Sequence, residues 1–454
     1  MKSKFFKFLL SFLLIVVAIG IWFSQNWYKM PKYISNFTNS TYENVAIEWE
    51  NGPISRTNSK PNIIVVLIDD LGFNQISSYG GGMANGKFKT PNIDKLASDG
   101  VLCTNGYSSS PVCSPSRAAF LTGRNQDMVG VPGVVRTPDS GNWGFLDPEA
   151  TTIADVFQKN GYRTSLIGKW HLGYPPAFGP LRSGYDEFFG PMAGGVDYFT
   201  HCASTGAHDL WLGEEEQPHE GYLTDLISNK SVDFVKRMAQ DTTQPFFLSM
   251  HYTAPHWPWE TREDHALAQT IKDNIFHLQG GNIHTYHRMI HHMDEGIGWV
   301  VNALRETGQL DNTLIVFTSD NGGERFSDNW PLVGGKMDLT EGGIRVPMIA
   351  VWDGKIKPGT TTDHISGFWD VFPTIAEITE TETPENIDGI SFLPTLVGKK
   401  QVQHDYLYWE FHERGGRKAL RKGDWKLVHY NVLKPEQTTT ELYNLIDDPG
   451  EENN

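Results

Sequence analysis

The sequence predicts an α/β fold: a large, mostly parallel sheet sandwiched by helices, followed by a small C-terminal antiparallel α+β subdomain. Three observations predict it. Apolar runs that do not alternate recur along the chain and end in polar residues, as strands buried on both faces do. Stretches with helical periodicity lie between them, and strands alternating with helices give a sheet covered on both sides. After about residue 400 the texture changes to short runs of alternating polarity.

The strand runs come in order. The first is Asn62 to Ile68, ending in Asp69 and Asp70. The next are Thr164–Gly168, Pro245–His251, Thr313–Asn321 and Val346–Trp352. Helical patterns fall at Asn92–Ser98, Ile153–Asn160, Leu223–Ala239 and Tyr286–Glu306. The C-terminal strands are read at Tyr406–Phe411, Lys418–Arg421, Trp425–Tyr430 and Leu442–Asn444. This divides the chain into a large α/β domain over 61–399 and a subdomain over 400–454.

The first 60 residues read differently. Lys2, Lys4 and Lys7 precede an apolar run from Phe8 to Phe23, broken only by Ser11 and Gly20. A basic n-region and an apolar h-region make residues 1–30 a cleaved signal peptide or an N-terminal membrane anchor. Ala18-Ile19-Gly20 offers a small-x-small cleavage site, whereas Trp22, Trp27 and Tyr28 resemble an interfacial belt. Both readings place the rest of the chain outside the cytoplasm, with the membrane met only through this segment. Residues 31–60 are polar and aperiodic, which reads as a tether.

Composition narrows the function classes. The 454 residues are 39% hydrophobic and 20% charged, which excludes disordered, collagen-like and coiled-coil chains. With 38 Lys and Arg against 54 Asp and Glu, the net charge is −16. Such a surface repels phosphate backbones and excludes a general nucleic-acid binder. An anionic substrate would need a local basic pocket that overrides the global field. Three cysteines, Cys103, Cys113 and Cys202, are too few for a disulfide scaffold. Cys103 and Cys202 read as buried thiols or as a disulfide.

Ligands of open α/β sheets bind outside the carboxyl ends of the strands. Asp69-Asp70, Asp320-Asn321, and His251 with His256 all fall there. One Asp-Asp pair alone reads as a turn or a cap. Two such pairs offer four hard oxygen donors, which suit Ca²⁺ or Mg²⁺ rather than zinc or copper. Cys113 lies in a Ser/Pro loop that runs into a helix, with Arg117 one turn on. A thiolate is a poor partner for a hard cation, so a plain cysteine nucleophile makes little sense there. Lys336, among glycines, reads alone as a solvated turn residue. His284, His287, His291 and His292 read as surface or packing residues of one helix, and Trp257 and Trp259 as sugar-stacking or core aromatics.

Cys113-Ser-Pro-Ser-Arg117, followed by Leu121-Thr-Gly-Arg124, resembles the signature of the formylglycine-dependent sulfatases. These are the cysteine-type, arylsulfatase A/B-like members of the alkaline phosphatase-like superfamily. Gly168-Lys169-Trp170-His171-Leu172-Gly173 is similar to the family's second signature. Asp69-Asp70, Asp320-Asn321-Gly322-Gly323, and Gly334-Gly335-Lys336 through Glu341–Pro347 match further blocks in order. Asp447–Asn453 resembles the near-terminal block, after which the family has a final helix, so the resemblance implies a truncated sequence.

The resemblance implies that a maturating, formylglycine-generating enzyme converts Cys113 to formylglycine, whose hydrate attacks sulfur. Asp69, Asp70, Asp320, Asn321 and residue 113 would hold one Ca²⁺, or Mg²⁺. Arg117 and Lys169 would stabilise the hydrate, and His171 would take its spare proton. His256 and Lys336 would bind the sulfate oxygens, with His256 protonating the leaving alcohol. The stretch from Phe188 through Phe199 is similar to the corresponding stretch of arylsulfatase B-like members that act on sulfated galactosamine, which implies a sulfated glycan substrate. Two alternatives remain: a phosphate or phosphonate monoester hydrolase on the same scaffold, and a non-catalytic, membrane-tethered glycan-binding relative.

Overall fold

The computed structural model describes residues 7, 11–21, 60–80, 88–136, 144–241, 243–271 and 281–454. The tether read at 31–60 lies outside the described residues except for Lys60, as does most of the signal or anchor. Residues 11–21 are helical. Among the described residues no helix is long and apolar enough to cross a membrane.

Fifteen strands form two sheets among the described residues. The large sheet holds β1 (Asn62–Ile68), β2 (Val101–Tyr107), β3 (Arg163–Gly168), β4 (Glu187–Gly190), β5 (Trp211–Leu212) and β6 (Glu215–Glu216). It continues with β7 (Phe246–His251), β8 (Thr313–Ser319), β9 (Arg345–Val351), β10 (Thr360–Thr362) and β11 (Ser366–Gly367). Its order is β10-β2-β9-β8-β1-β7-β3-β4-β5-β6, with β11 also paired to β2. The central run β8-β1-β7-β3-β4 is parallel throughout.

β1 shows why such a strand reads as an unbroken apolar run. Ile64, Val66 and Ile68 face a core built with the helices Leu223–Met238 and Ile283–Glu306. Ile63, Val65 and Leu67 face the opposite core, which includes Ala118, Phe120, Ile153, Phe157, Phe372 and Ile375. Both faces are covered, so neither can carry polar residues. Each such side chain contributes about 1.5–3 kcal/mol by leaving water.

The helices follow from local signals. Leu223, Ile227, Ser231, Phe234 and Met238 recur at three- and four-residue spacing on the buried side of Leu223–Met238. Thr152 caps Ile153–Lys159 in a reciprocal box with Asp155. The helix Cys113–Thr122 is buried at all ten positions. It stops at Gly123, whose left-handed φ of 63° lets its N–H reach the Ala119 carbonyl.

One strand differs in direction from the sequence reading, one was not anticipated, and the open question of the two other cysteines is answered. The run at Val346–Trp352, read as another strand of a parallel sheet, is antiparallel to both neighbours, β8 and β2. An apolar run reports burial of two faces and carries no information about direction. β2 was not anticipated, because Thr104-Asn105-Gly106 interrupts its apolar pattern where the pairing with β9 shifts register. Cys103 and Cys202 form no disulfide; both are free thiols, Cys103 fully buried and pushed up to about 12 by that burial.

The small sheet is antiparallel: β12 (Leu407–Phe411), β13 (Arg417–Lys422), β14 (Trp425–Tyr430) and β15 (Thr439–Asn444). Leu407, Trp409 and Phe411 point inward and pack with Tyr107, Val112, Leu339 and Ile344 of the main body. Beneath this contact, buried Lys426 bridges Glu341 at 2.9 Å and Glu451 at 3.0 Å. The second sheet is thereby tied to the segment that carries Lys336.

Candidate active site

The parallel register delivers the site. β1 and β8 pair through Ile68 and Ser319, so Asp69-Asp70 and Asp320-Asn321 emerge side by side. Asp320 N–H donates to the Ile68 carbonyl at 2.9 Å and Asp70 N–H to Asp320 Oδ1 at 3.2 Å, which extends the pairing past the strand ends. On the other flank β3 pairs with β7 through Gly168 and His251, and Lys169 N–H donates to the His251 carbonyl at 2.9 Å. Lys169 and His171 therefore leave the sheet beside the carboxylates.

Cys113 opens its helix against this group, its Sγ 3.9 Å from Asp70 Oδ1. Arg117 lies one turn further along and is wholly buried. Its Nε and Nη2 reach Asp320 Oδ2 at 2.9 and 2.8 Å, and Nη1 donates to the Lys169 carbonyl at 3.0 Å. Lys169 Nζ donates to Asp69 Oδ2 at 2.6 Å, and Lys336 Nζ to Asp70 Oδ2 at 2.7 Å. His256 Nε2 lies 3.7 Å from the same Asp70 oxygen. The structure thus brings together the ten residues to which the resemblance gives a role in the site. Lys336, which alone read as a solvated turn residue, is mostly buried.

Three non-glycine residues of this cluster take left-handed backbone: Asp70 (φ 64°), His171 (φ 61°) and Met337 (φ 73°), the neighbour of Lys336. Such conformations cost about 1–3 kcal/mol each and persist where surrounding contacts over-determine them. Met337 N–H donates to the Pro111 carbonyl at 2.8 Å, which locks the lysine segment to the cysteine loop.

Electrostatics divides the site. Burial alone would raise the Asp70 carboxyl, but Lys336, His256 and Lys169 outweigh it and hold it down at about 2. Asp320 goes the other way, pushed up to about 7 by burial and by Asp69 despite Arg117. Burial and Asp69 push the Cys113 thiol well above its ordinary value, so it is kept from ionising to the reactive thiolate. Burial, with Lys169 and Arg117, holds His171 far below the usual histidine range. Burial and Lys336 do the same for His256.

The hydrogen bonds of the two histidines fix their tautomers. His171 Nε2 lies 2.6 Å from the Val135 carbonyl, which can only accept, so that nitrogen carries the proton. Nδ1 is then a buried lone pair with no partner among the described residues. His256 donates from Nδ1 to the Trp257 carbonyl at 2.6 Å and turns Nε2 toward Asp70. Val135 takes part only through its backbone, for which no sequence signal exists. His251, another buried strand-end residue, lies 3.4 Å from Arg117 Nη1 through its own Nδ1.

A cation fits the oxygen cluster. Donor atoms of Asp69, Asp70, Cys113 and Asp320 all lie within 4.8 Å of one another. Asp69 Oδ1 and Asn321 Oδ1 are buried with no hydrogen-bond partner among the described residues. Unpaired acceptors in a dry pocket beside three carboxylates call for a hard, oxygen-seeking ion.

Comparison with known proteins agrees with this geometry. Residues 61–381 match the family described as Sulfatase, and residues 335–454 match the family described as N-sulphoglucosamine sulphohydrolase, C-terminal. Human N-acetylgalactosamine-6-sulfatase is 30% identical over 374 residues, covering 77% of this chain and 68% of its own. Bovine arylsulfatase A is 30% identical over 454 residues, covering 87% of this chain and 83% of its own. Among solved structures, Ps i-CgsB in complex with k-i-k-neocarrahexaose superposes with a TM-score of 0.77 at 32% identity, covering 87% and 88% of the two chains. The PsFucS1 sulfatase from Pseudoalteromonas sp. has a TM-score of 0.71 at 28% identity, covering 87% and 85%.

Proposed function

The chain belongs to the sulfatase family and is a sulfuric ester hydrolase, and from that premise we propose that it removes sulfate from sulfated glycans, with residue 113 acting as formylglycine beside one Ca²⁺ or Mg²⁺. The observation that carries the reading is the contact of Cys113 with the buried carboxylates. A protonated thiol 3.9 Å from Asp70 is a poor nucleophile and a poor ligand for a hard cation, whereas an oxygen function at that position suits both roles.

The hydrated aldehyde supplies an oxygen nucleophile with a second hydroxyl, and the divalent cation supplies positive charge against the sulfate oxygens. Asp69, Asp70, Asp320 and Asn321 hold that cation. Arg117 and Lys169 orient residue 113, since Arg117 fixes the Lys169 carbonyl while Lys169 reaches Asp69. Lys336 and His256 face the sulfate from the Asp70 side. With the divalent cation, Arg117, Lys169 and Lys336 form a preorganised positive cage, which is how an acidic chain accommodates an anionic transition state. His171 is neutral with its Nδ1 lone pair free, so it accepts the proton of the spare hydroxyl. His256 would give a proton to the departing alcohol oxygen through Nε2, which must first take one up; the negative charge of a bound sulfate ester favours that protonated form.

Two relatives support a glycan substrate: one is named for N-acetylgalactosamine 6-sulfate, and another was solved with a neocarrahexaose. The basic, then apolar N-terminus supports an extracytoplasmic location, and the Cys113-Ser-Pro-Ser-Arg117 motif supports a maturating enzyme as partner. The boundary near residue 400 belongs to the same proposal. Rates on matched aryl sulfate and aryl phosphate esters, followed by sulfated disaccharides, test the reading. It predicts preference for sulfate and turnover of at least one sulfated galactose or galactosamine unit; preference for phosphate would replace it with a phosphatase.

A further inference from the structure

The two histidines share a neighbour that carries no chemistry of its own. Past β4 the chain runs on alongside the Lys169–His171 segment as Pro191–Gly195, in the direction of the parallel β3–β4 pair. Trp170 N–H donates to the Pro191 carbonyl at 3.0 Å and His171 N–H to the Met192 carbonyl at 3.2 Å. These bonds bring Gly194 against the ring of His171 and Gly195 against the ring of His256. A Cβ on Gly194 would stand 2.4 Å from both Cε1 and Nε2 of His171. A Cβ on Gly195 would stand 3.0 Å from Cε1 and 3.3 Å from Nδ1 of His256.

We propose that Gly194 and Gly195 are positioning residues for the reaction, a paired backbone wall against which each histidine is seated on its hydrogen-bonded edge. This rests on the roles given above to His171 and His256. At both positions the edge facing the glycine includes the nitrogen that makes the ring's fixing bond: Nε2 to the Val135 carbonyl and Nδ1 to the Trp257 carbonyl. A methyl group at 194 would push His171 off Val135, and the tautomer that leaves Nδ1 free would lose its anchor.

Backbone conformation does not explain the glycines, because neither has a left-handed φ. The strand of chain cannot back away either. Asp209, almost wholly buried, accepts from Met192 N–H at 3.2 Å and Ala193 N–H at 2.7 Å. Val196 is bridged to Ala203, and Tyr198 OH donates to the His256 carbonyl at 2.9 Å. With the backbone pinned on both sides, the ring is what must move.

The test is a double-mutant cycle on the mature enzyme, using an aryl sulfate and a sulfated disaccharide. Gly194→Ala is expected to lower kcat roughly 10²-fold, with KM falling as the sulfated form of residue 113 accumulates and the melting transition retained, the scale of loss from an ångström of misplacement. In an enzyme already carrying His171→Ala, the ring is gone and Gly194→Ala should cost nothing further. Combined with His256→Ala, which slows the other step, Gly194→Ala should still slow release of sulfate from residue 113 by the same factor. Gly195→Ala demands a smaller shift, so about a tenfold loss or less is expected, larger on the disaccharide, and absent in the His256→Ala background.

Wild-type kcat in both glycine variants, or losses that multiply within each glycine–histidine pair, overturns the proposal. Should Gly194→Ala fail to fold, the Gly195–His256 cycle decides it alone: additivity there overturns it and masking upholds it. If His171→Ala and His256→Ala themselves keep full activity, the failure belongs to the proposed mechanism rather than to the glycines.

Discussion

Arg117 donates through Nε to Asp320 Oδ2 at 2.9 Å and its Nη2 forms an ion pair with the same oxygen at 2.8 Å, and both side chains are wholly inaccessible to solvent. The arginine has two further duties: it holds the Lys169 carbonyl and lies 3.8 Å from Asp69. Lysine cannot reproduce that fork. Arg117→Ala leaves two buried carboxylates short of their counter-charge, so a loss of about 3–5 kcal/mol is expected by denaturant unfolding. Arg117→Lys should also be inactive; wild-type stability and turnover in that variant would contradict the assignment.

Removing the divalent cation should abolish turnover, and Ca²⁺ or Mg²⁺ should restore it. Asp69→Ala and Asp320→Ala should each lower kcat on the order of 10²-fold or more. A second readout is independent of activity: added Ca²⁺ should raise the melting temperature of the native chain, because it binds only the folded state. Both variants should lose that rise. A chelated enzyme with full activity would speak against a resident metal.

His171 and His256 serve different steps and should separate. His171→Ala removes the free Nδ1 lone pair and should leave sulfate covalently retained at residue 113, visible by mass. His256→Ala should instead slow the first step, most on sugars with poor leaving groups and least on activated aryl sulfates. Equal losses on both substrates, with no adduct in either variant, would reverse this division.

Glu260 offers a pH signature away from the metal cluster. It is fully buried, and burial followed by Asp197 pushes its carboxyl from about 4.5 up to about 9. Glu260 Oε1 and Asp197 Oδ2 are both buried acceptors without a donor among the described residues, and a proton on Glu260 shared with Asp197 would satisfy both. A raised native value means the contribution to stability is full below about pH 4.5 and is lost progressively as pH rises to about 9. Glu260→Gln keeps a donor toward Asp197 without that loss. Its melting temperature should exceed the native one at pH 8 and match or fall below it at pH 5; parallel pH profiles would refute the shared proton.

Much of this was legible in the sequence, for reasons that also explain the gaps. β1, β3, β7 and β8 announce themselves because strands covered on both faces cannot tolerate polar residues, and their ends carry the acids and histidines of the site. Direction is not written in such a run, so β9 gave no sign of being antiparallel. Residues that act through the backbone, such as the Val135 carbonyl under His171, leave no side-chain pattern. Neither do Gly194 and Gly195, whose place depends on β3 pairing with β4 and on Asp209 holding the loop. His251 was visible at a strand end, but its contact with Arg117 arises only when the helix Cys113–Thr122 packs beneath the sheet.

The account turns on the chemistry of residue 113, and a mass spectrum of the peptide containing it, taken from fully active enzyme, tests that most directly. Conversion of the thiol to an aldehyde exchanges sulfur for oxygen and removes two hydrogens, so the peptide should be lighter than its cysteine form by about 18 Da. Cys113→Ala should abolish activity without altering the fold. An unmodified Cys113 thiol in enzyme that turns over sulfate esters at full rate would contradict the account.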